Sequence, residues 1–313
     1  MIQPNAASGR TLRLSQGQAP EAAAILGRGG LVAIPTETVY GLAARAGDPV
    51  AVARVFEAKD RPRFNPLIVH AASVEAAFAL GMAGEEARCL AAAFWPGPLT
   101  LVLPLAAPLP HLVTAGSRRV AVRVPAHPLA LEVLAALGEP VAAPSANPSG
   151  RISPTTAEHV LAGLDGRIEA VIDGGPCAVG LESAIVGLGD GPPRLLRPGG
   201  VPSEAIEAVL GRTLARGGEV APGGQASHYA PRGAVRLDAT GPRPGERMLG
   251  FGAVPGELTL SASGDLREAA GALFAALHAL DATGDPIAVA PIPDEGLGRA
   301  IRDRLARAAA PRD

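Results

Sequence analysis

Lysine is almost missing from this chain. Of 28 basic side chains in 313 residues, 27 are arginine, and the single lysine is Lys59. A bias this extreme, in a chain rich in alanine and glycine, reads as genomic composition, yet it marks the surroundings of the exception for inspection. Cysteine is scarce: Cys89 and Cys177 are too few for a disulfide framework, which predicts reduced thiols. An excess of one charge sign is also missing. The 28 basic and 30 acidic residues leave a formal net charge of −2, split 16 against 16 up to Gly200 and 12 against 14 beyond it. That balance excludes the global basic field of a dedicated nucleic-acid binder and leaves only a local basic patch open. No apolar run is long enough to span a bilayer, because the most apolar stretch, 99–113, is interrupted by Pro104, Pro108 and Pro110. The start, Met1-Ile2-Gln3-Pro4-Asn5, lacks a basic segment followed by an apolar one, so the expected location is the cytoplasm, with no membrane association.

Familiar fingerprints are absent as well. There is no G-x-x-x-x-G-K-[ST] loop, no G-x-G-x-x-G following a strand and no G-x-S-x-G elbow. The six histidines show no paired metal-ligand spacing and neither cysteine has a C-x-x-C partner, so no metal site is expected.

What remains is a chain with 39 glycines, 31 prolines and 48% hydrophobic residues, long enough for two compact units. Up to about residue 200, short apolar runs alternate with helical periodicity, the pattern of an α/β unit. Strands are predicted at 31–35, 66–69, 99–103, 120–124, 141–143, 170–172 and 184–188. Asp48 followed by Pro49 predicts a helix to about Ala58; further helices are predicted from the Ser73 cap, at 127–137, at 154–164 with Ser153 as its cap, and at 202–210. Residues 216–225 are too glycine-rich to hold regular structure and read as a linker. Beyond them, strands at 234–237, 248–251 and 287–290 and helices at 265–280 and 295–309 predict a smaller α/β domain.

Several segments carry chemistry. Pro35-Thr36-Glu37-Thr38-Val39-Tyr40-Gly41-Leu42 puts hydroxyls, a carboxylate and a phenol at a strand end, where α/β folds place ligand contacts; a threonine-capped turn explains it equally well. Lys59-Asp60-Arg61-Pro62-Arg63-Phe64-Asn65-Pro66 puts three cations in a proline-stiffened loop. A helix C-terminus explains one of them, and a polyphosphate explains all three. In Arg119-Val120-Ala121-Val122-Arg123, alternation puts both arginines on one face, either solvated or gripping a carboxylate. Pro144-Ser145-Ala146-Asn147-Pro148-Ser149-Gly150 and the following Ser153 form a capped loop that suits phosphate or sugar. Last, 173–176, Gly180-Leu181-Glu182-Ser183 and Arg197-Pro198-Gly199-Gly200 lay glycine-rich turns around an isolated arginine.

Taken in order, PTETVYGL, KDRPRFNPLIVH, WPGPLTLVL, VAVRVPAHP, PSANPSG and GLES…RPG resemble the YrdC-like family of L-threonylcarbamoyladenylate synthases, over about 12–205. The later His228-Tyr229-Ala230-Pro231 and the C-terminal region resemble that family's long, two-domain form. The resemblance implies an α/β fold with a twisted mixed sheet around a positively charged cavity at 12–205, a linker at 206–232 that covers the cavity as a lid, and a Rossmann-like α/β domain at 233–313. It implies a nucleotidyltransferase that turns L-threonine, bicarbonate and ATP into threonylcarbamoyl-AMP and pyrophosphate. That product feeds N6-threonylcarbamoyladenosine formation at position 37 of tRNAs reading ANN codons.

By motif, Thr38, His70, Arg123, Ala143 and Ser183 are implied to line the threonine pocket. Arg61, Asn65, Arg119, Ser145, Ser153 and Arg197 are implied to hold ATP, with Tyr229 reaching the nucleotide from the linker. Lys59 and Arg61 are expected to act on the phosphates or the bicarbonate-derived group, and Mg²⁺ to arrive with ATP rather than in a carboxylate cage. The expected partners are the tRNA threonylcarbamoyl transferase machinery downstream and, at most, a weak RNA contact. Ser183-Ala184-Ile185 departs from the Ser-Thr-Val common in the family, removing a hydroxyl beside the substrate serine. An RNA-binding module without catalysis and a carbamoyl-transferring enzyme with a similar domain remain as rivals.

Overall fold

The computed structural model describes residues 9–189, 191–216 and 228–311. The chain opens with β1 (Leu12–Leu14), α1 (Ala19–Gly27), β2 (Val32–Ile34), β3 (Gly41–Arg45), α2 (Pro49–Lys59) and β4 (Ile68–His70). It continues through α3 (Val74–Phe78), α4 (Glu85–Phe94), β5 (Leu99–Pro104), α5 (His111–Thr114), β6 (Arg119–Arg123), α6 (Pro128–Leu137) and β7 (Val141–Ala142). Then come α7 (Ala157–Leu164), β8 (Ala170–Ile172), β9 (Ala184–Gly189), β10 (Gly191–Arg197), α8 (Ser203–Leu210) and β11 (Ala215–Arg216). These eleven strands form one mixed sheet in the order β1-β8-β2-β3-β7-β4-β6-β5-β9-β10-β11.

The alternation of strand residues explains why the sheet is buried on both sides. Val32 and Ile34 pack with α1 and α6, whereas Leu31 and Ala33 on the opposite face pack with α2 and α7. Helix α2 starts where Asp48 accepts hydrogen bonds from the Val50 and Ala51 amides at 2.9 and 3.1 Å, with Pro49 at its first position. It buries Ala51, Val52, Val55, Phe56, Ala58 and Lys59, a stripe at helical spacing that carries its last residue inward.

The second unit contains β12 (Val235–Arg236), β13 (Arg247–Gly250), β14 (Leu258–Thr259), α9 (Leu266–Leu280), β15 (Ile287–Val289) and α10 (Gly298–Ala309). Its sheet, ordered β12-β15-β13-β14, is parallel throughout. Its apolar core takes in Val39, Ile152, Leu181 and Tyr229, so the two units share packing. The backbones approach closely at Gly180, where a Cβ would lie 2.6 Å from the Gly271 carbonyl oxygen on α9.

Several expectations are corrected. Helix α7 begins at Ala157 rather than Pro154, because Thr156 takes the extended N-cap conformation and accepts from the His159 amide. Ser153 is therefore not its cap. Strands β1, β3 and β10 and helices α1 and α4 lie in segments with no strand or helix expectation. The segment read as a linker from 206 contributes the end of α8 and the edge strand β11, which pairs parallel to β10. Most of the glycine-rich stretch at 216–225 lies outside the described residues.

Candidate active site

A cavity is lined by the strand ends of the large sheet and by the chain entering the second unit. Strands β4 and β6 run parallel with His70 paired to Arg123, so both side chains leave the sheet at one edge. Antiparallel β7 delivers Ala143, Pro144 and Ser145 to the same place, with Ser145 bridged to Gly41. Thr36 and Thr38 precede β3, Glu182 and Ser183 precede β9, Arg197 ends β10, and Arg61 follows α2; His228 and Tyr229 close the lining. The glycine turn after Arg197 fits against Ser183 only because Gly199 has no side chain: a Cβ there would lie 2.2 Å from the Ala184 nitrogen. The cavity holds about 60 Å³, room for a few waters.

Of the residues expected at the site, Thr38, Arg61, His70, Arg123, Ala143, Ser145, Ser183, Arg197 and Tyr229 converge on this cavity. Lys59, Asn65, Arg119 and Ser153 are not among its lining residues. The ammonium of Lys59 points back under the loop, donating to the Ser145 carbonyl at 2.5 Å and to the Asn147 carbonyl. Burial, with Arg61 next to it, pushes the Lys59 pKa well below its ordinary value. Arg119 reaches the Val102 and Leu188 carbonyls on β5 and β9, at 2.9 and 2.6 Å. Asn65 is buried at the start of the segment leading to β4. Ser153, wholly buried, donates to Glu182 Oε1 at 2.5 Å.

Two arginine environments divide the cavity. Arg123 is buried and held at all three nitrogens: Nη2 donates to Glu37 Oε1 at 2.6 Å, Nη1 to Thr38 Oγ1 at 2.9 Å and Nε to the Gly97 carbonyl at 3.0 Å. Glu37 also accepts from the Ala126 amide at 3.0 Å, so both carboxylate oxygens are engaged. Thr36 and Thr38 share a 2.7 Å hydroxyl contact that fixes the turn. Arg61, in contrast, donates only to the carbonyls of Asn65 and Pro66 and makes no ion pair among the described residues. Burial, with Arg197 also cationic nearby, lowers its pKa to about 10, so it stays charged at neutral pH.

Around Ser183, Arg197 donates to the serine carbonyl at 2.9 Å and to its hydroxyl at 3.3 Å. Thr100 Oγ1 lies 2.7 Å from Ser183 Oγ. His70 and His228 are neutral: burial pushes each down to about 3, the Arg123 guanidinium adding to this at His70. The Nδ1 atoms of both have no hydrogen-bond partner. Among the described residues, no group of three or more His, Cys, Asp or Glu side chains is placed to hold a metal ion, and no helix is long and apolar enough to cross a membrane.

Sequence reasoning quoted Glu37, Glu182 and His228 within motifs but gave them no role. Arg304, which meets the site from α10, belongs to no motif. Its only signal is its place on the buried stripe Ala300, Ile301, Leu305 and Ala308.

Comparison with known proteins identifies the family. A model described as Telomere recombination, covering Sua5, YciO and YrdC, matches residues 24–199; one described as Threonylcarbamoyl-AMP synthase, C-terminal domain, matches residues 201–310. The chain is 44% identical to a threonylcarbamoyl-AMP synthase of Pyrococcus abyssi, over 92% of each chain. It is 42% identical to that of Bacillus subtilis, over 93% of each. The crystal structure of P. abyssi Sua5 complexed with L-threonine superposes with a TM-score of 0.87 at 41% identity, covering 96% of this chain and 97% of that one. The chain belongs to the Sua5/YciO/YrdC family, in the two-domain form that carries the threonylcarbamoyl-AMP synthase C-terminal domain.

Proposed function

We propose that this chain is a threonylcarbamoyl-AMP synthase, joining L-threonine, bicarbonate and ATP. Its organisation is a catalytic domain from 12 whose sheet runs on to β11 at 216, a connecting segment up to 232 and a C-terminal domain at 233–313. The reading is supported most directly by Arg61, a half-buried guanidinium with no carboxylate partner, facing the same cavity as the Arg123–Glu37 cluster. A cation left without a counter-charge suits an anionic ligand, and its neighbour Arg197 makes the cavity electropositive.

In this reading the amino-acid half is Thr38, His70, Arg123, Ala143 and Ser183. The relative in the P. abyssi structure is complexed with L-threonine, which supports assigning that ligand here. His70, with a pKa of about 3, is too weak a base to take the substrate's ammonium proton. It serves as a hydrogen-bond acceptor through its open Nδ1. The nucleotide half is Arg61, Ser145, Arg197 and Tyr229. At about 60 Å³ the cavity as it stands is smaller than a nucleotide.

Threonine reacts as its free amine, the ammonium proton having gone to solvent. The nitrogen bonds to the bicarbonate carbon, the C–OH bond of bicarbonate breaks, and the hydroxide leaves as water with one of the remaining N–H protons. A carbamate oxygen then attacks the α-phosphorus of ATP, the Pα–O bond to the β-phosphate breaks, and pyrophosphate departs with its electron pair. The protein contributes alignment and charge: Arg61 and Arg197 stabilise phosphate charge. Magnesium enters with the substrate as MgATP, held by phosphates, since Glu182 is already engaged by Ser153 and Arg304. The product would pass to a tRNA threonylcarbamoyl transferase system in the cytoplasm.

The test is pyrophosphate release by the purified full chain with L-threonine and bicarbonate omitted in turn. Release that requires both supports the synthase; release indifferent to threonine contradicts it.

A further inference from the structure

Arg304 is among the most completely buried side chains in the molecule, with no exposed surface, and it sits on α10, far along the chain from the cavity-lining loops. Its Nε donates to Glu182 Oε2 at 2.8 Å, and its Nη1 donates to the Pro198 carbonyl at 2.9 Å and to Asp303 Oδ2 at 2.7 Å. The guanidinium carbon also lies 5.3 Å from the centre of the Tyr229 ring, within cation–π range. Glu182 and Tyr229 line the cavity; Arg304 does not.

We propose that Arg304 is a positioning residue through which the C-terminal domain sets the nucleotide half of the cavity. Three pieces of the site meet this guanidinium directly or at one remove. Glu182 is held with one oxygen on Arg304 and the other on Ser153. Arg197 immediately precedes Pro198, whose carbonyl Arg304 holds. The Tyr229 ring is held between Arg304 and Phe274 of α9, whose ring centre is 5.6 Å away. Tyr229 itself has a left-handed backbone, φ 62°, and so depends on its surroundings to keep that conformation.

The threonine half has separate supports: Glu37 and Gly97 hold Arg123, and Thr100 holds Ser183. The consequence is a split. Loss of Arg304 weakens ATP and spares threonine. An interdomain clamp without this role would change stability and leave the two ligands alike.

This inference rests on the nucleotide assignment above, and the experiment separates the two. The affinities of the full chain for ATP and for L-threonine are measured by calorimetry alongside thermal unfolding, for wild type, Arg304→Met, Arg304→Lys and the double variant Glu182→Gln/Arg304→Met. Arg304→Met is expected to weaken ATP binding by about tenfold or more and to lower the melting temperature, because Glu182 loses its buried partner. Threonine affinity is expected to stay within about twofold. Arg304→Lys keeps the charge but cannot bridge Glu182, Pro198 and the Tyr229 ring together, so it falls between. The double variant removes the uncompensated carboxylate and is expected to regain melting temperature while ATP binding stays weak. Wild-type ATP affinity in Arg304→Met, or recovery of both properties in the double variant, overturns the proposal. A wild type that binds ATP without threonine-dependent pyrophosphate release overturns the synthase reading and leaves the Arg304 comparison intact; a wild type that binds no ATP overturns both.

Discussion

The ammonium nitrogen of Lys59 lies 2.5 Å from the carbonyl oxygen of Ser145, on the far side of the loop that presents Ser145 to the cavity. The chain's one lysine is thus a buried clasp: it also donates to the Asn147 carbonyl, and its own carbonyl accepts from the Ser149 amide at 2.8 Å. A compact ammonium on a long stem fits a site with 1% exposure; a planar guanidinium is larger and needs a different donor geometry. Lys59→Arg is expected to cost about 1–3 kcal/mol through overpacking and to displace the Ser145 loop. Lys59→Met strands two buried carbonyls, again costing about 1–3 kcal/mol. Urea unfolding together with turnover checks both; Lys59→Arg with wild-type stability and activity would show that arginine serves equally well.

Glu37 is a structural counter-charge for the threonine half. Removing it leaves Arg123 buried without its ion-pair partner and the Ala126 amide without an acceptor. Glu37→Ala is expected to lose about 3–5 kcal/mol of stability, and Glu37→Gln less, because it still accepts hydrogen bonds. Chemical denaturation of the two variants gives the comparison; equal, small losses would mean that Arg123 does not depend on this carboxylate.

The two neutral histidines make folding sensitive to acid. His70 and His228 have folded pKa values of about 3, below the ordinary 6.5, so the unfolded chain binds more protons throughout that interval. Their effect on stability is neutral above pH 6.5 and becomes a growing penalty as pH falls from 6.5 toward 3. The urea midpoint is expected to fall between pH 7 and pH 5, and His228→Asn is expected to flatten that slope. A slope unchanged by the substitution would assign the acid sensitivity elsewhere.

How much of this was legible in the sequence varied with the range of the interaction. Asp48-Pro49 announced α2 because capping is local. The central strands were legible because burial on both faces leaves short apolar runs. Strand β3, Gly-Leu-Ala-Ala-Arg, has no β-branched residue; it is a strand because it pairs with β2 and β7, which no local pattern records. Ser153 looked like a helix cap, yet its hydroxyl bonds Glu182, 29 residues away. Similarly, the charges of Lys59 and Arg61 pointed to phosphate, but alternate sides of a helix end send one into the core and the other to the cavity. Arg304 was invisible for the same reason: its partners Glu182 and Pro198 lie more than 100 residues earlier.

Arg61 separates the nucleotide from the amino acid in the opposite way to the Glu37 cluster. Arg61→Ala is expected to slow pyrophosphate release by about 10²–10³, the usual cost of losing one charged contact to a transition state. Threonine affinity should be retained, since among the described residues no hydrogen bond or ion pair joins Arg61 to Arg123, Glu37 or Thr38. Steady-state turnover with calorimetric threonine binding reads both; near-normal release would remove Arg61 from the phosphate site.

The most direct measurement of the central claim follows carbon from labelled bicarbonate. Purified chain is incubated with labelled bicarbonate, L-threonine and MgATP, and the nucleotide products are separated alongside a pyrophosphate assay. The account predicts label in an adenylate that also contains threonine, formed one for one with pyrophosphate. Pyrophosphate or AMP formed without labelled carbon in the adenylate, or label incorporated without threonine, would contradict it.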